Sequence, residues 1–167
     1  MGQKTNPKAF RLVTTEKHLS TWYSNKEIYS EILKEDYLAR QLVEKVFENF
    51  LVLSKIEIRR RGGENTKGHF DHLRIFALFP RYKEMYKKVI AYFEKINDEN
   101  IQQALALLIN KKAKLLPFVK LLLKRLSFDL IADLEKKTQN QYIVSFSFVR
   151  NPFEDSTLIA KYISSQL

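Results

Sequence analysis

The chain has 167 residues, 45% of them hydrophobic and 13% aromatic, with 29 Lys+Arg against 19 Asp+Glu for a formal net charge of +10. One domain's length of chain with that much apolar surface excludes a disordered polycation, because burying it offsets the entropy of ordering. There is no cysteine, so a disulfide framework, a thiolate metal site and a cysteine nucleophile are excluded together.

In chain order, Met1-Gly2-Gln3-Lys4-Thr5-Asn6-Pro7-Lys8 has no apolar run behind its charges and is expected to be a mature start, not a secretory or import leader. Asn6 stands where a myristoylation signal wants Ser or Thr. Residues 1–23 mix basic, polar and aromatic side chains around Pro7, Trp22 and Tyr23 without a period, and are expected to form an extended arm. Ser24-Asn25-Lys26-Glu27 has the spacing of a capping box and predicts a helix start. Ile28, Ile32, Leu33, Leu38, Leu42, Val43, Val46, Phe47 and Phe50 then give one apolar stripe, predicting a helix to about residue 50.

Ser54 to Arg59 alternates polar and apolar residues, as does Leu73 to Phe79 before Pro80, which predicts two strands. Three of the chain's four glycines fall between them, so the pair reads as an antiparallel hairpin with a basic tip. Tyr82, Met85, Tyr86, Val89, Ile90 and Phe93 have helical spacing, and a second helical stretch runs from about Ile101 to Leu126, where Pro117 is expected to break or kink it. Its uncharged run, Ile101 to Asn110, is far short of the ~20 residues that cross a bilayer. Tyr142 to Val149 predicts a third strand, and residues 154–167 a closing helix. The expected architecture is α+β, a three-stranded sheet with helices packed on one face and an N-terminal extended arm.

The positive charge is segregated. Lys4, Lys8, Arg11 and Lys17 face only Glu16 in the first segment. Residues 55–88 hold ten basic residues against Glu57, Glu64, Asp71 and Glu84, and Lys111, Lys112, Lys114, Lys120, Lys124 and Arg125 have no acid among them. Basic faces of this kind bind polyanions by releasing condensed counterions; the plain alternative is a solvated charged surface.

Several blocks resemble one family. Met1 to Pro7 with Phe10-Arg11-Leu12 is similar to the start of the third protein of the small ribosomal subunit, organellar members included. Trp22-Tyr23, Tyr29, Leu33, Glu35-Asp36 and Arg40 match its next positions. Ser54-Lys55-Ile56-Glu57-Ile58-Arg59-Arg60 is similar to its Ser-Arg-Ile-Glu-Ile-Glu-Arg strand. Asn151-Pro152 and Leu158-Ile159-Ala160 through Gln166-Leu167 resemble the segment that ends its first domain.

The resemblance implies a type II KH-like domain at 24–167, with an N-terminal helix and a helical insertion at 97–140, that binds rRNA in the head of the small subunit. The sequence departs from the family in two places. No glycine follows Gly68, so the Gly-x-x-Gly loop through which KH domains grip nucleic acid is missing near Pro80 to Glu84. The chain also stops where relatives continue into a second domain, which is then absent or supplied by a separate chain.

On this reading the RNA-binding residues are Lys4, Lys8 and Arg11 in the arm; Arg59, Arg60, Arg61 and Lys67 on the hairpin; and Arg81, Lys83, Lys87 and Lys88 in place of the glycine loop. Trp22, Tyr23, Tyr82 and Tyr86 are candidates for base stacking, against the commoner role of core or interface anchors. The basic residues between Lys111 and Arg125 either face RNA or coat a helix.

Evidence for an enzyme is thin. His69, Asp71 and His72 lack further metal ligands nearby, Glu44 and Glu48 lack burial, and there is neither a phosphate loop nor a serine elbow. The expectation is a non-enzymatic structural constituent of the small ribosomal subunit, without cofactor or metal. Its partners would be rRNA and neighbouring small-subunit proteins, ten and fourteen by family resemblance, with no membrane. The mitochondrion is expected as host, the plastid being the alternative. A free-standing KH-like regulator of single-stranded RNA and a membrane-surface protein using the helix at 101–126 are the competing readings.

Overall fold

The computed structural model describes residues 2–60, 70–78, 82–96, 102, 103, 105, 106, 114–138 and 140–164. The arm is not simply extended. It opens with a five-residue helix, α1 (Pro7–Arg11), in which Asn6 Oδ1 accepts from the Lys8 amide at 2.9 Å and Pro7 occupies the first turn, where its missing amide costs nothing. It ends in a two-residue strand, β1 (Ser20–Thr21), too short for any alternation to show in the sequence.

β1 corrects the expected three-stranded sheet to four strands. It lies parallel to β2 (Val52–Arg60), with Ser20 opposite Ile58 and Thr21 opposite Arg59. β2 pairs antiparallel with β3 (Phe70–Leu78), and β3 pairs parallel with β4 (Gln141–Phe148), giving the order β1-β2-β3-β4. A register shift between Leu53 and Ile56 inserts one residue opposite Phe76. That bulge lets Leu53 and Ile56, three apart in sequence, both turn into the core, and it places Lys55 on the opposite face.

The first long helix, α2 (Tyr29–Phe47), starts later than the capping-box spacing predicts. Ile28 is its N-cap and makes no side-chain cap bond, while Ser24 Oγ is buried without a hydrogen bond among the described residues. The chain turns instead through Asn25, whose carbonyl accepts from the Ile28 and Tyr29 amides. After α3 (Tyr82–Phe93), the expected stretch is helical at residues 102, 103, 105 and 106, and the helix α4 (Leu115–Thr138) runs twelve residues past the expected end at 126. Pro117 lies in its first turn, where the lost amide has no intrahelical partner to forfeit, so the expected break is a helix start. A 3₁₀ turn (Pro152–Glu154) and α5 (Ser156–Ser164) close the chain; Asp155 accepts from Ser54 Oγ and, at 3.0 Å, from the Thr157 amide.

The core lies between one face of the sheet and α2, α3 and α4. Val43 and Phe47 of α2, Ile58, Leu73 and Ile75 of the strands, Val89 and Phe93 of α3, and Leu122, Leu130 and Leu134 of α4 are essentially fully buried in one cluster. The segment expected as an insertion, 97–140, thus contributes a central core element, with α4 packing on α2 and on β4. Phe47 meets Phe146 edge-on at 5.2 Å, locking α2 to β4.

Truncating Leu130 to Ala is expected to cost ~2–5 kcal/mol in denaturant unfolding. The same change at the solvent-facing Leu116 should stay within ~0.5 kcal/mol.

Candidate nucleic-acid interface

The alternation of β2 sends neighbouring arginines to opposite faces. Arg59 points outward with its side chain 50% exposed; Arg60, in phase with the core residues Ile56 and Ile58, turns inward and is 12% exposed. Arg60 Nε and Nη2 donate to Asp36 Oδ1 at 3.1 and 2.7 Å, and Nη1 donates to Glu35 Oε2 at 2.6 Å. Nη1 also lies 3.1 Å from Asp71 Oδ2, an ion-pair contact without hydrogen-bond alignment. The expected phosphate contact at Arg60 is therefore corrected: its guanidinium is consumed by three carboxylates inside the fold.

The other oxygen of Asp36 collects the arm. Ser20 Oγ and Trp22 Nε1 both donate to Asp36 Oδ2 at 2.8 Å. One helical turn along α2, Arg40 donates to the Ile56 carbonyl at 2.6 Å, to the Leu19 carbonyl at 3.3 Å and to Ser20 Oγ at 2.7 Å. Trp22, a stacking candidate, is thus anchored by its indole nitrogen, and its ring lies 5.4 Å from that of Tyr29. Asn140 Nδ2 donates to Glu35 Oε2 at 3.0 Å, bringing the approach to β4 into the same network.

The electrostatics follow from this crowding. Burial works against the charge of Arg60, but the hydrogen bonds to Asp36 and Glu35 and the charge of Asp71 outweigh it and leave the guanidinium above its ordinary value. Arg40 is held somewhat below its ordinary value by burial, against the pull of Asp36 and Glu44. Asp71 is pushed up to about 6, first by burial and then by Glu35 and Asp36, with Arg60 opposing. Burial also raises Tyr142, whose hydroxyl donates to Thr138 Oγ1 at 2.8 Å.

The remaining expected RNA contacts divide clearly. Lys4, Lys8, Arg11, Lys87 and Lys88 are exposed, as are Lys114 just before α4 and Lys120, Lys124 and Arg125 on it. Arg61, Lys67, Arg81, Lys111, Lys112, His69 and the side chains of Tyr82 and Lys83 lie outside the described residues. Tyr86 packs against the core, whereas Tyr23 is exposed. Of the weak metal cluster, Asp71 turns toward Arg60 and His72 Nε2 meets Ser145 Oγ at 2.8 Å. Sequence reasoning missed Lys55 and Arg74, which share the outward face with Arg59; the period-two pattern that exposes Arg59 is also the signal for both.

The small ribosomal subunit protein uS3 of Desulfatibacillum aliphaticivorans is 28% identical over 167 residues, which is 100% of this chain and 57% of that protein. The chain is related to small ribosomal subunit protein uS3. The uS3c protein of Staurastrum punctulatum is 26% identical over 174 residues, covering 100% of this chain and 62% of its own length. That of Emiliania huxleyi is 45% identical over 64 residues, 36% of this chain and 30% of that protein. The chain spans less than two thirds of the length of these uS3 relatives. No family model matches the sequence. The organellar relatives are of chloroplast type, so the expected mitochondrial host finds no support among them.

Removing the hub cation by Arg60→Gln leaves buried carboxylates uncompensated and is expected to cost ~3–5 kcal/mol in chemical denaturation, while Arg59→Gln changes stability by less than ~0.5 kcal/mol. Asp71 gives a separate signature. A carboxyl whose folded pKa is raised binds its proton more tightly in the folded state, so stability increases as pH falls through about 6 and is lost as the group ionises above it. Unfolding free energy should therefore rise by ~1 kcal/mol between neutral pH and pH ~5, and Asp71→Asn should flatten that rise.

Proposed function

We propose that the chain is a structural constituent of the small ribosomal subunit of a plastid, binding rRNA through exposed basic side chains and docking neighbouring ribosomal proteins through exposed apolar ones. The end-to-end similarity to uS3 proteins carries this reading. The α+β body with helix, two strands, two helices and strand in succession supports assigning it to the type II KH-like class. The uS3c names among the relatives favour a plastid over a mitochondrion.

Binding, on this view, is electrostatic positioning. Lys4, Lys8 and Arg11 sit on or beside α1, which buries none of its own side chains, and Lys87 and Lys88 line the outer side of α3. Cations so placed neutralise phosphates and set orientation without reading bases. Arg61, Lys67, Arg81 and Lys83 are assigned the same role.

Protein docking has a surface of its own. Tyr29, Leu33 and Tyr37 recur every fourth residue along α2 and are all half exposed or more, beside Trp22 in an open groove of about 840 Å³. Contiguous apolar exposure of this kind marks a contact surface. Small-subunit proteins ten and fourteen are the neighbours assigned by family resemblance.

The test is the salt dependence of affinity for small-subunit rRNA transcribed in vitro. The logarithm of the association constant should fall linearly with the logarithm of salt concentration. Lys4→Gln, Lys8→Gln and Arg11→Gln together should reduce that slope by roughly 2 if each cation meets a phosphate. A slope near zero for the unaltered chain would remove the rRNA reading.

A further inference from the structure

The face of the sheet turned away from the helical core carries an ordered set of charges. Its β2 row is Lys55, Glu57 and Arg59, its β3 row Phe76, Arg74 and His72, and its β4 row Ser147, Ser145 and Ile143, as the strand registers and alternation require. The cations are held in place. Lys55 Nζ stands 4.5 Å from the centre of the Phe76 ring and Arg74 Cζ 4.9 Å from it, while Arg74 Nε donates to Ser147 Oγ at 2.9 Å.

Their charge is not balanced. Glu57 is the one carboxylate in these rows and is shared between Lys55 at 3.3 Å and Arg59 at 3.4 Å. Both contacts are longer than the ~2.7–2.9 Å of a direct charged hydrogen bond. Arg74 has no carboxylate partner among the described residues. Lys55 and Arg59 remain about half exposed, so neither spends its charge internally. Toward the arm the face runs into a recess of about 410 Å³ lined by Glu16, Lys17, His18 and Thr21 together with Glu57 and Arg59, where the two carboxylates offset the two cations and the unbalanced charge stays on the open sheet face.

We propose that this outward face is a second RNA-binding surface, on which Lys55, Arg59 and Arg74 contact successive backbone phosphates. The proposal rests on the rRNA reading above and adds to it a face of the sheet and two residues, Lys55 and Arg74. Cations spread over two strands of a flat sheet, with neighbouring residues of a row ~6.8 Å apart, fit an extended polyanion better than one phosphate in a cavity. The forks of Arg59 and Arg74 match phosphate and carboxylate oxygens alike, and the regular recurrence of phosphates along an extended strand favours a sugar-phosphate backbone over an acidic protein segment.

The experiment compares the full chain with Lys55→Gln/Arg74→Gln and with Lys136→Gln/Lys137→Gln, which removes as much charge from the exposed end of α4. Affinity for transcribed small-subunit rRNA is measured across about 50 to 200 mM salt, with poly-L-glutamate as competitor. The sheet variant should lose roughly tenfold in affinity at the midpoint of that range and lower the salt slope by about 1–2, whereas the α4 variant should keep the slope. An unaltered chain that binds steeply, beside a folded sheet variant with the same affinity and slope, overturns this surface and leaves the rRNA reading standing. An unaltered chain with no salt-dependent affinity overturns both. Competition by polyglutamate that is as strong as by RNA, and is lost in the sheet variant, assigns the face to an acidic protein and overturns the proposal. Should Arg74→Gln unfold the chain, Lys55→Gln/Arg59→Gln carries the same comparison, since both side chains stand free of the core.

Discussion

A single buried guanidinium holds the fold in register. Arg60 is charged, nearly enclosed and surrounded by Glu35, Asp36 and Asp71, so any arrangement that separates it from them strands charge away from water at a cost of several kcal/mol. Slipping β2 by one residue against β3 would turn Arg60 out and Arg59 in, exchanging a completed ion cluster for an unpaired cation in the core. The apolar residues of β2 alone specify register less firmly, because the bulge between Leu53 and Ile56 already interrupts their alternation. Through Asp36 and Arg40 the same cluster fastens the arm, α2 and β2 together, and through Asn140 it reaches the start of β4. Ion clusters of this kind contribute more to uniqueness than to stability, and the crowding that lifts Asp71 toward neutrality shows that the cluster carries more negative charge than it can comfortably hold.

That division of labour explains the charge pattern of the chain. The net surplus of +10 does not sit where the densest run of arginine suggests, since one of the three consecutive arginines is internal. What remains outside falls into separate zones: the arm around α1, the outer side of α3, the exposed face of α4 and the outward face of the sheet. The apolar stripe of Tyr29, Leu33 and Tyr37 occupies yet another side of α2, so polyanion and protein contacts need not compete for area. The proposed role in a large ribonucleoprotein suits this separation, whereas a binder of one short strand would gain by concentrating its contacts in one groove.

Much of the architecture was legible because burial leaves a period behind. The stripe from Ile32 to Phe47 and the alternations around Ile58, Ile75 and Val144 identified α2 and the three longer strands to within a few residues. β1 left no such trace, being two residues long and held by backbone pairing and by Asp36. The Ser24-to-Glu27 spacing does not start the helix, because local spacing carries no trace of Trp22, whose bond to Asp36 ties the chain down just before α2. α4 was read as ending at 126 because its second half, around Leu130 and Leu134, alternates buried leucines with exposed acids and lysines more sparsely than its first. Arg60 was the instructive error. It is in phase with Ile56 and Ile58, so the strand period already assigned it to the core, but a charge is ordinarily assumed to be outside. Trp22, Glu35, Asp36, Arg40 and Arg60, which all carry the family resemblance, are the members of this cluster; the resemblance therefore marks the scaffold more directly than it marks the RNA contacts.

The arm shows what the scaffold leaves undone. From Leu19 onward it is tied down by four side-chain hydrogen bonds and a parallel pairing, yet α1, ahead of that anchor, has five residues and buries none of them. A helix that short gains too few backbone bonds to repay its own nucleation, and here packing adds nothing. Its cap at Asn6 and the proline that follows lower the cost of forming it without removing that cost. The conformation of this segment is thus prepared by sequence but not by packing, and Lys4, Lys8 and Arg11 stand exposed along it. The anchor at Asp36 then has a second consequence: it fixes where on the body the arm passes, beside the edge strand β1 and toward the recess lined by Lys17, His18 and Arg59. Arm and sheet face are in this way neighbours across a recess of mixed charge, aligned by a carboxylate almost enclosed in the fold.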